Sequence, residues 1–231
     1  MLSWDVFRIY TTGPVRVAIA GLLFFGLLDG IGAAGESWMI DDFEAGLRPE
    51  WQERIFSGRT DYRVVEEASG RVLEARSQGT ASALIFKQKI DLQEYPVLCW
   101  RWKVDNIVSS GDARTRSGDD YAARIYVVFP HWFFPRTRSI NYIWANRLSA
   151  GSVVPNPFTA NAMMVAVQSG EERVGEWVDE CRNVRDDYRR IFRGDPPQVG
   201  AIAIMTDTDN TGSSALAWYD DIRFEISEPS P

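Results

Sequence analysis

The chain has 231 residues, 45% of them hydrophobic, with nine Trp and a formal net charge of −7 at pH 7. An acidic surface repels phosphate backbones, so nucleic acid is not an expected partner. Two cysteines and one histidine cannot fill the usual closed Cys/His zinc shell.

The first segment differs from the rest. Arg8 and Arg16 precede the uncharged run Val17–Leu28, and the small residues Gly32-Ala33-Ala34-Gly35 follow. A basic flank, a short apolar core and a small-residue site, in that order, mark a secretory signal peptide. A membrane-spanning helix needs roughly 20 apolar residues, and this run has 12. An uncleaved anchor is the alternative for the segment. The expected organisation is a leader over residues 1–34, one β-sandwich domain over 35–227 and a tail over 228–231. The mature chain then works in the periplasm or outside the cell, without a spanning segment. The leader's Asp5 and Asp29 cancel Arg8 and Arg16, so the mature net charge stays at −7.

Past the leader, short β-like runs alternate with turns. They fall at Trp38–Phe43, Tyr62–Glu66, Val72–Arg76, Ala83–Ile90, Val97–Val104, Ala122–Phe129, Ile140–Trp144, Met163–Val167, Ala201–Met205, Ala215–Trp218 and Ile222–Ile226. Gly, Pro, Asn, Asp or Ser punctuate most gaps. The clearest run is VLCWRWKV, which places Leu98, Trp100, Trp102 and Val104 on one face and Cys99, Arg101 and Lys103 on the other. Period-two alternation of this kind marks a strand with one buried face. From Trp177 the spacing changes. Apolar residues recur at Cys181, Val184, Tyr188, Ile191 and Phe192, three and four apart, which predicts a helix that stops before Gly194 and Pro196-Pro197. Many short strands and one short helix predict a mostly β fold, a β-sandwich or jelly roll. Cys99 and Cys181 pair as a disulfide or pack as two separate buried thiols; sequence leaves both open.

The two ends carry a resemblance. The opening Ile40-Asp41-Asp42-Phe43-Glu44 with Trp51, and the closing Trp218-Tyr219-Asp220-Asp221-Ile222-Arg223-Phe224, resemble jelly-roll carbohydrate-binding modules of the galactose-binding-like type. In that fold the first and last strands lie near each other. The interior is similar to an exported bacterial family classed as a domain of unknown function. The matching stretches are Trp100–Val104, Gly118–Tyr126, Asn141–Asn146, Arg182-Asn183-Val184 with Asp187-Tyr188, and Met205–Gly212. That resemblance implies no assigned activity, catalytic residue or ligand.

Several constellations are candidates for chemistry. Asp119, Asp120, Arg124 and Tyr126 cluster at the start of one strand, and Tyr142 and Trp144 alternate on another. Arg182, Asn183, Asp186 and Asp187 fall on the predicted helix, with Arg182 and Asp186 spaced i,i+4. If the polar face of Arg101 and Lys103 adjoins that of Arg124 and Tyr126, a groove of Arg, Asp, Tyr and Trp would suit sugar hydroxyls and ring faces. The candidate ligand residues are therefore Asp119, Asp120, Arg124, Tyr126, Tyr142, Trp144, Arg182, Asn183 and Asp187. The alternative is an ion-pair network that only orders the sandwich.

The loop Asp207-Thr208-Asp209-Asn210-Thr211-Gly212 has oxygen side chains at alternate positions, as calcium loops do. It is not an EF-hand, because position twelve would be Trp218 and a strand follows. Calcium held by Asp207, Asp209, Asn210 and Asp220 is one reading, and an Asx-rich turn is the other. The run Phe129-Pro130-His131-Trp132-Phe133-Phe134-Pro135 reads as an aromatic surface loop that binds something, or as a flap folded inward. No G-x-S-x-G motif occurs, and a Ser-His-Asp site would have to use His131. The expected function is non-catalytic binding of a glycan or cell-envelope component. A carbohydrate-active hydrolase or lyase using carboxylate, Tyr and Arg chemistry is the alternative. A periplasmic protein with a protein partner is a third reading, which an exposed aromatic loop would favour.

Overall fold

A computed structural model describes residues 37–226; the expected leader and tail lie outside the described residues. In chain order come β1 (Ser37–Asp41), β2 (Trp51–Ser57), β3 (Asp61–Glu67), β4 (Gly70–Gln78), β5 (Ala81–Ile90), β6 (Val97–Val104) and β7 (Tyr121–Phe129). There follow β8 (Arg138–Ala145), β9 (Val153–Asn156), β10 (Thr159–Ser169), β11 (Val178–Asn183), α1 (Val184–Phe192), β12 (Val199–Asp207) and β13 (Ser214–Glu225). The fold is a mostly β sandwich of two sheets with one α-helix.

The first sheet has the order β11-β6-β13-β4-β3, with β1 also paired to β13. First and last strands are thus hydrogen-bonded neighbours. The second sheet has the order β2-β5-β12-β7-β8-β10-β9, antiparallel except for β8 with β10. Side chains from both sheets interdigitate in one core. Leu98, Trp100, Trp102 and Val104 of β6 all lie in it, as their alternation predicts. Trp100 stacks on Tyr142 with ring centroids 5.3 Å apart, and Trp102 lies 6.0 Å from Trp144. Each buried indole removes enough apolar surface from water to contribute roughly 4–6 kcal/mol of transfer free energy. Tyr219 spans the layers, its hydroxyl bonded to Met205 O at 3.0 Å and to the Arg124 amide at 3.2 Å.

Three local expectations are corrected. The predicted helix starts at Val184, not near Trp177. Residues 178–183 form β11, whose alternate residues Val178, Glu180 and Arg182 lie opposite Trp102, Trp100 and Leu98. Asn183 ends the strand and caps the helix, its side chain accepting from Asp186 N at 3.1 Å. The two predicted strands 215–218 and 222–226 are one strand, β13, continued through a bulge where Asp221 has φ 50°. Residues 51–57 and 153–156, read as connections, are edge strands whose partners lie far away or across a loop. Cys99 and Cys181 face each other across β6 and β11 and are joined by a disulfide.

Candidate functional site

The expected ligand residues do not form one groove. Arg101 and Lys103 point outward from the first sheet, while Arg124 and Tyr126 point outward from the second, with the shared core between. On the first sheet Arg101 Nε donates to Asp220 at 2.9 Å, and Lys103 Nζ donates to Glu67 at 2.6 Å. Trp177 and Trp218 flank Lys103 at 5.1 and 4.3 Å. Asp220 is thereby engaged and takes no part in the Asp207 loop.

Arg124 is the centre of a buried polar cluster at one end of the second sheet. Its guanidinium lies between the rings of Tyr121 and Tyr126, with centroids at 5.0 and 5.3 Å. It pairs with Asp207 on β12 and faces Asp119 at 3.7 Å. Asn156 on β9 donates to the second oxygen of Asp119 at 2.9 Å. Gly118 lets this loop close, because a Cβ there would come within 2.5 Å of the Asp112 amide nitrogen. Asp120 is fully buried and holds the β12–β13 turn, accepting from Thr211 N at 2.7 Å and Thr211 Oγ1 at 2.6 Å. Asp120, Asp207 and Asp209 bring ligand atoms within 4.8 Å of one another. Burial lifts Asp207 well above the usual carboxylate range and Asp119 and Asp209 less far; Arg124 opposes the rise in all three. Arg124 stays charged, since its acidic neighbours outweigh its own burial. Asp119 Oδ1, Tyr121 OH, Arg124 Nε and Asp207 Oδ1 are buried without a hydrogen-bond partner.

A second cluster is saturated. Arg182 grips Asp187 through both nitrogens at 2.8–3.1 Å, and Arg190 and Tyr142 add bonds at 2.8 and 3.0 Å. Arg182 therefore pairs with Asp187 rather than with Asp186, because it sits on β11 and not on the helix. This knot ties α1 to both sheets. Trp144 packs in the core with its indole N–H on Gly170 O at 3.0 Å, and Asn183 is the helix cap.

An open cavity lies at the other end of β7. It has a volume of about 430 Å³ and is lined by Pro130, His131, Arg136, Arg138, Asn161 and Tyr188, among others. Trp132 projects beside it and is 91% exposed, and Phe133 is 49% exposed. Phe134 turns inward against the second sheet's outer apolar cluster, so the loop is part platform and part anchor. Arg138 is held in place: it donates to Tyr188 OH at 3.0 Å, and its guanidinium lies 4.7 Å from the Phe192 ring centre. Asn161 Nδ2 donates to Pro135 O at 2.6 Å, bracing the loop. Sequence reasoning singled out the aromatic loop but missed Arg136, Arg138, Asn161 and Tyr188. One signal was available: the 50 residues from Tyr121 to Gly170 hold four arginines and no Asp or Glu.

Residues 49–223 match the family described as "Protein of unknown function (DUF3047)". The chain belongs to that family. No curated protein matches this DUF3047 chain. Similar solved structures include the K1 cleaved adhesin domain of Lys-gingipain from Porphyromonas gingivalis W83, 12% identical, covering 84% of this chain and 99% of that one with a TM-score of 0.40. A non-crystalline cellulose specific carbohydrate-binding module, CBM28, is 18% identical over 83% of this chain and 95% of its own, with a TM-score of 0.43. The xyloglucanase domain of NopAA, a type three effector from Sinorhizobium fredii, is 9% identical over 86% and 100%, with a TM-score of 0.42.

Proposed function

We propose that this DUF3047 protein is an exported β-sandwich that binds a glycan or glycan-bearing cell-envelope component without catalysis. The observation that carries the reading is Trp132, an almost fully exposed indole whose ring lies 5.6 Å from that of His131, which lines an open cavity with Arg136, Arg138 and Asn161. A sugar ring offers a C–H-rich face for an indole and hydroxyls for planar polar side chains. The disulfide supports residence in an oxidising compartment, as does the signal-peptide order of the first residues.

The hydrolase or lyase alternative draws on Asp119, Asp120, Arg124, Tyr126 and Asp187. All five are buried, and Asp120 and Asp187 are held by Thr211, Tyr142 and Arg182, which disfavours an open catalytic cleft at these side chains. Phe133, half-exposed beside Trp132, favours a second reading in which the loop grips a protein partner. A glycan array followed by calorimetry on Trp132→Ala separates them. The expected result is glycan binding that weakens tenfold or more in the variant while the melting temperature holds. Absence of any glycan binding by the intact protein overturns the reading, and retention of a protein partner in that case supports the second.

We also propose that the Asp120–Asp207–Asp209 cluster takes calcium, with Asp120 in the place expected of Asp220. Its support is the fully buried Asp207 Oδ1, which has no hydrogen bond, and an excess of carboxylates over the single Arg124. Saturating calcium should raise the melting temperature and EDTA reverse it, since an ion bound at a hundred times its Kd adds about 2.7 kcal/mol. Identical melting curves in calcium and EDTA overturn this assignment.

A further inference from the structure

We propose that the cavity beside Trp132 selects an acidic sugar, one whose ring carries a carboxylate, sulfate or phosphate that docks on Arg136 and Arg138. The inference rests on the glycan-binding reading and names the class of glycan. Three observations carry it.

No acidic side chain lines the cavity. In a chain of net charge −7, the surrounding 50-residue stretch from Tyr121 to Gly170 is free of Asp and Glu. Asp195, close in sequence to the lining residue Pro197, is held by Arg189 at 2.7 Å.

Neither arginine is spent on an ion pair among the described residues. Arg136 is exposed. Arg138 is half-buried and already oriented by the Tyr188 hydroxyl and the Phe192 ring, partners that fix its fork without neutralising it. A preorganised, uncompensated guanidinium presents paired donors to an oxyanion at little entropic cost.

The acidic cluster around Asp207 does not cancel this field. Tyr121 and Phe129 mark the two ends of β7, about 26 Å apart at about 3.3 Å per residue. That is several Debye lengths at about 8 Å each in physiological salt. Trp132 supplies what an anion receptor alone lacks, a flat apolar surface for the ring that bears the charge.

The test uses the full chain and one sugar backbone in two charge states: oligogalacturonate and its fully methyl-esterified form, with sulfated and phosphorylated oligosaccharides and neutral galactose oligosaccharides beside them. The acidic form is expected to bind at least tenfold more tightly than its ester, with the advantage shrinking as salt rises. Arg136→Gln should remove much of the advantage without changing the melting temperature, because that exposed side chain has no ion-pair partner among the described residues. Arg138→Gln should remove more of the advantage, with a small fall in melting temperature from its lost contacts to Tyr188 and Phe192, and Arg138→Lys should recover part of the binding. Equal binding of acid and ester, or arginine variants that weaken neutral and acidic ligands alike, overturns the inference. Neutral binding that still depends on Trp132 overturns it while leaving the glycan reading intact, whereas failure of every sugar overturns both. Binding to anionic phosphatidylglycerol vesicles in place of any sugar also overturns it.

Discussion

The outward faces of the two sheets solve the same problem in opposite ways. On the first sheet, Arg101 and Lys103 are 20% and 15% exposed, each with a carboxylate and an indole beside it. On the second, Arg124 is 4% exposed and shares its burial with Asp119, Asp120 and Asp207. Solvent still reaches the cations and Glu67 of the first set, which weakens those pairs, although Asp220 itself is buried. The second set is withdrawn from water, where a paired charge is held strongly and an unpaired one is very costly. The difference teaches that a cluster dense in charge is not for that reason a binding site. The buried cluster orders the sandwich, while the open end of the same sheet, with fewer charges and an exposed indole, has the better shape for a ligand.

The comparison can be broken most directly at its two arginines. Arg124→Ala should cost about 3–5 kcal/mol in urea unfolding, because it strands buried carboxylates. Arg101→Ala should cost less, about 2–3 kcal/mol, since it strands one buried carboxylate, Asp220, with the exposed Asp221 and water beside it. Equal losses would show that the two faces do not differ as described.

A finer version compares two tyrosines in the same neighbourhood. The Tyr219 hydroxyl bonds Met205 O, Thr206 Oγ1 and the Arg124 amide. Tyr219→Phe should therefore cost about 1–3 kcal/mol. The Tyr121 hydroxyl is buried without a partner in good hydrogen-bond geometry, with Asp119 near it, so Tyr121→Phe should cost less than Tyr219→Phe, at most about 1 kcal/mol. Thermal unfolding of both variants decides the matter, and a large loss from Tyr121→Phe would mean the hydroxyl is bonded after all.

The smallest effect is in pH dependence, where Glu67 on the first sheet and the buried aspartates around Arg124 carry opposite signs, with burial raising Asp220 on the first sheet as well. Burial tends to raise Glu67 on the first sheet, but hydrogen bonds from Lys103 and Trp177 outweigh it and hold the carboxyl below its ordinary range. Its contribution is present above about pH 4.3 and is lost as pH falls through the lowered value. Asp207, Asp119 and Asp209 are raised, so the folded state holds their protons more tightly than the unfolded chain does. Their contribution is complete at acid pH and is lost as pH rises from about 4 through the raised values. Asp209→Asn should therefore stabilise the protein in EDTA at pH 7 by a few tenths of a kcal/mol, discounted for the solvent at this half-buried site. The gain should fade toward pH 4. A gain that instead grows on acidification would reverse the assigned sign.

Much of the fold was legible because alternation reports which side of a strand is apolar. Residues 97–104 showed it cleanly, and their boundaries hold to the residue. The helix was legible from Tyr188 and Ile191-Phe192, but its start was not: Cys181 fits a helical spacing and a strand equally well, and only pairing with Cys99 makes it a strand residue. The candidate site was half legible. Trp132 stood out in its Pro-bracketed loop, whereas Arg138 acquires meaning only beside Tyr188, 50 residues away in sequence.

By itself, then, the sequence determined a sandwich of short strands with Leu98, Trp100, Trp102 and Val104 turned inward, because side-chain periodicity is a local property of the backbone. Tertiary structure alone decided that β7 and β12 are buried on both faces, that Asp120 rather than Asp220 meets Asp207, and that Arg136 and Arg138 share a cavity. Those outcomes depend on which strands become neighbours and in what register. Cross-strand pairing between distant segments sets that, and no local period encodes it.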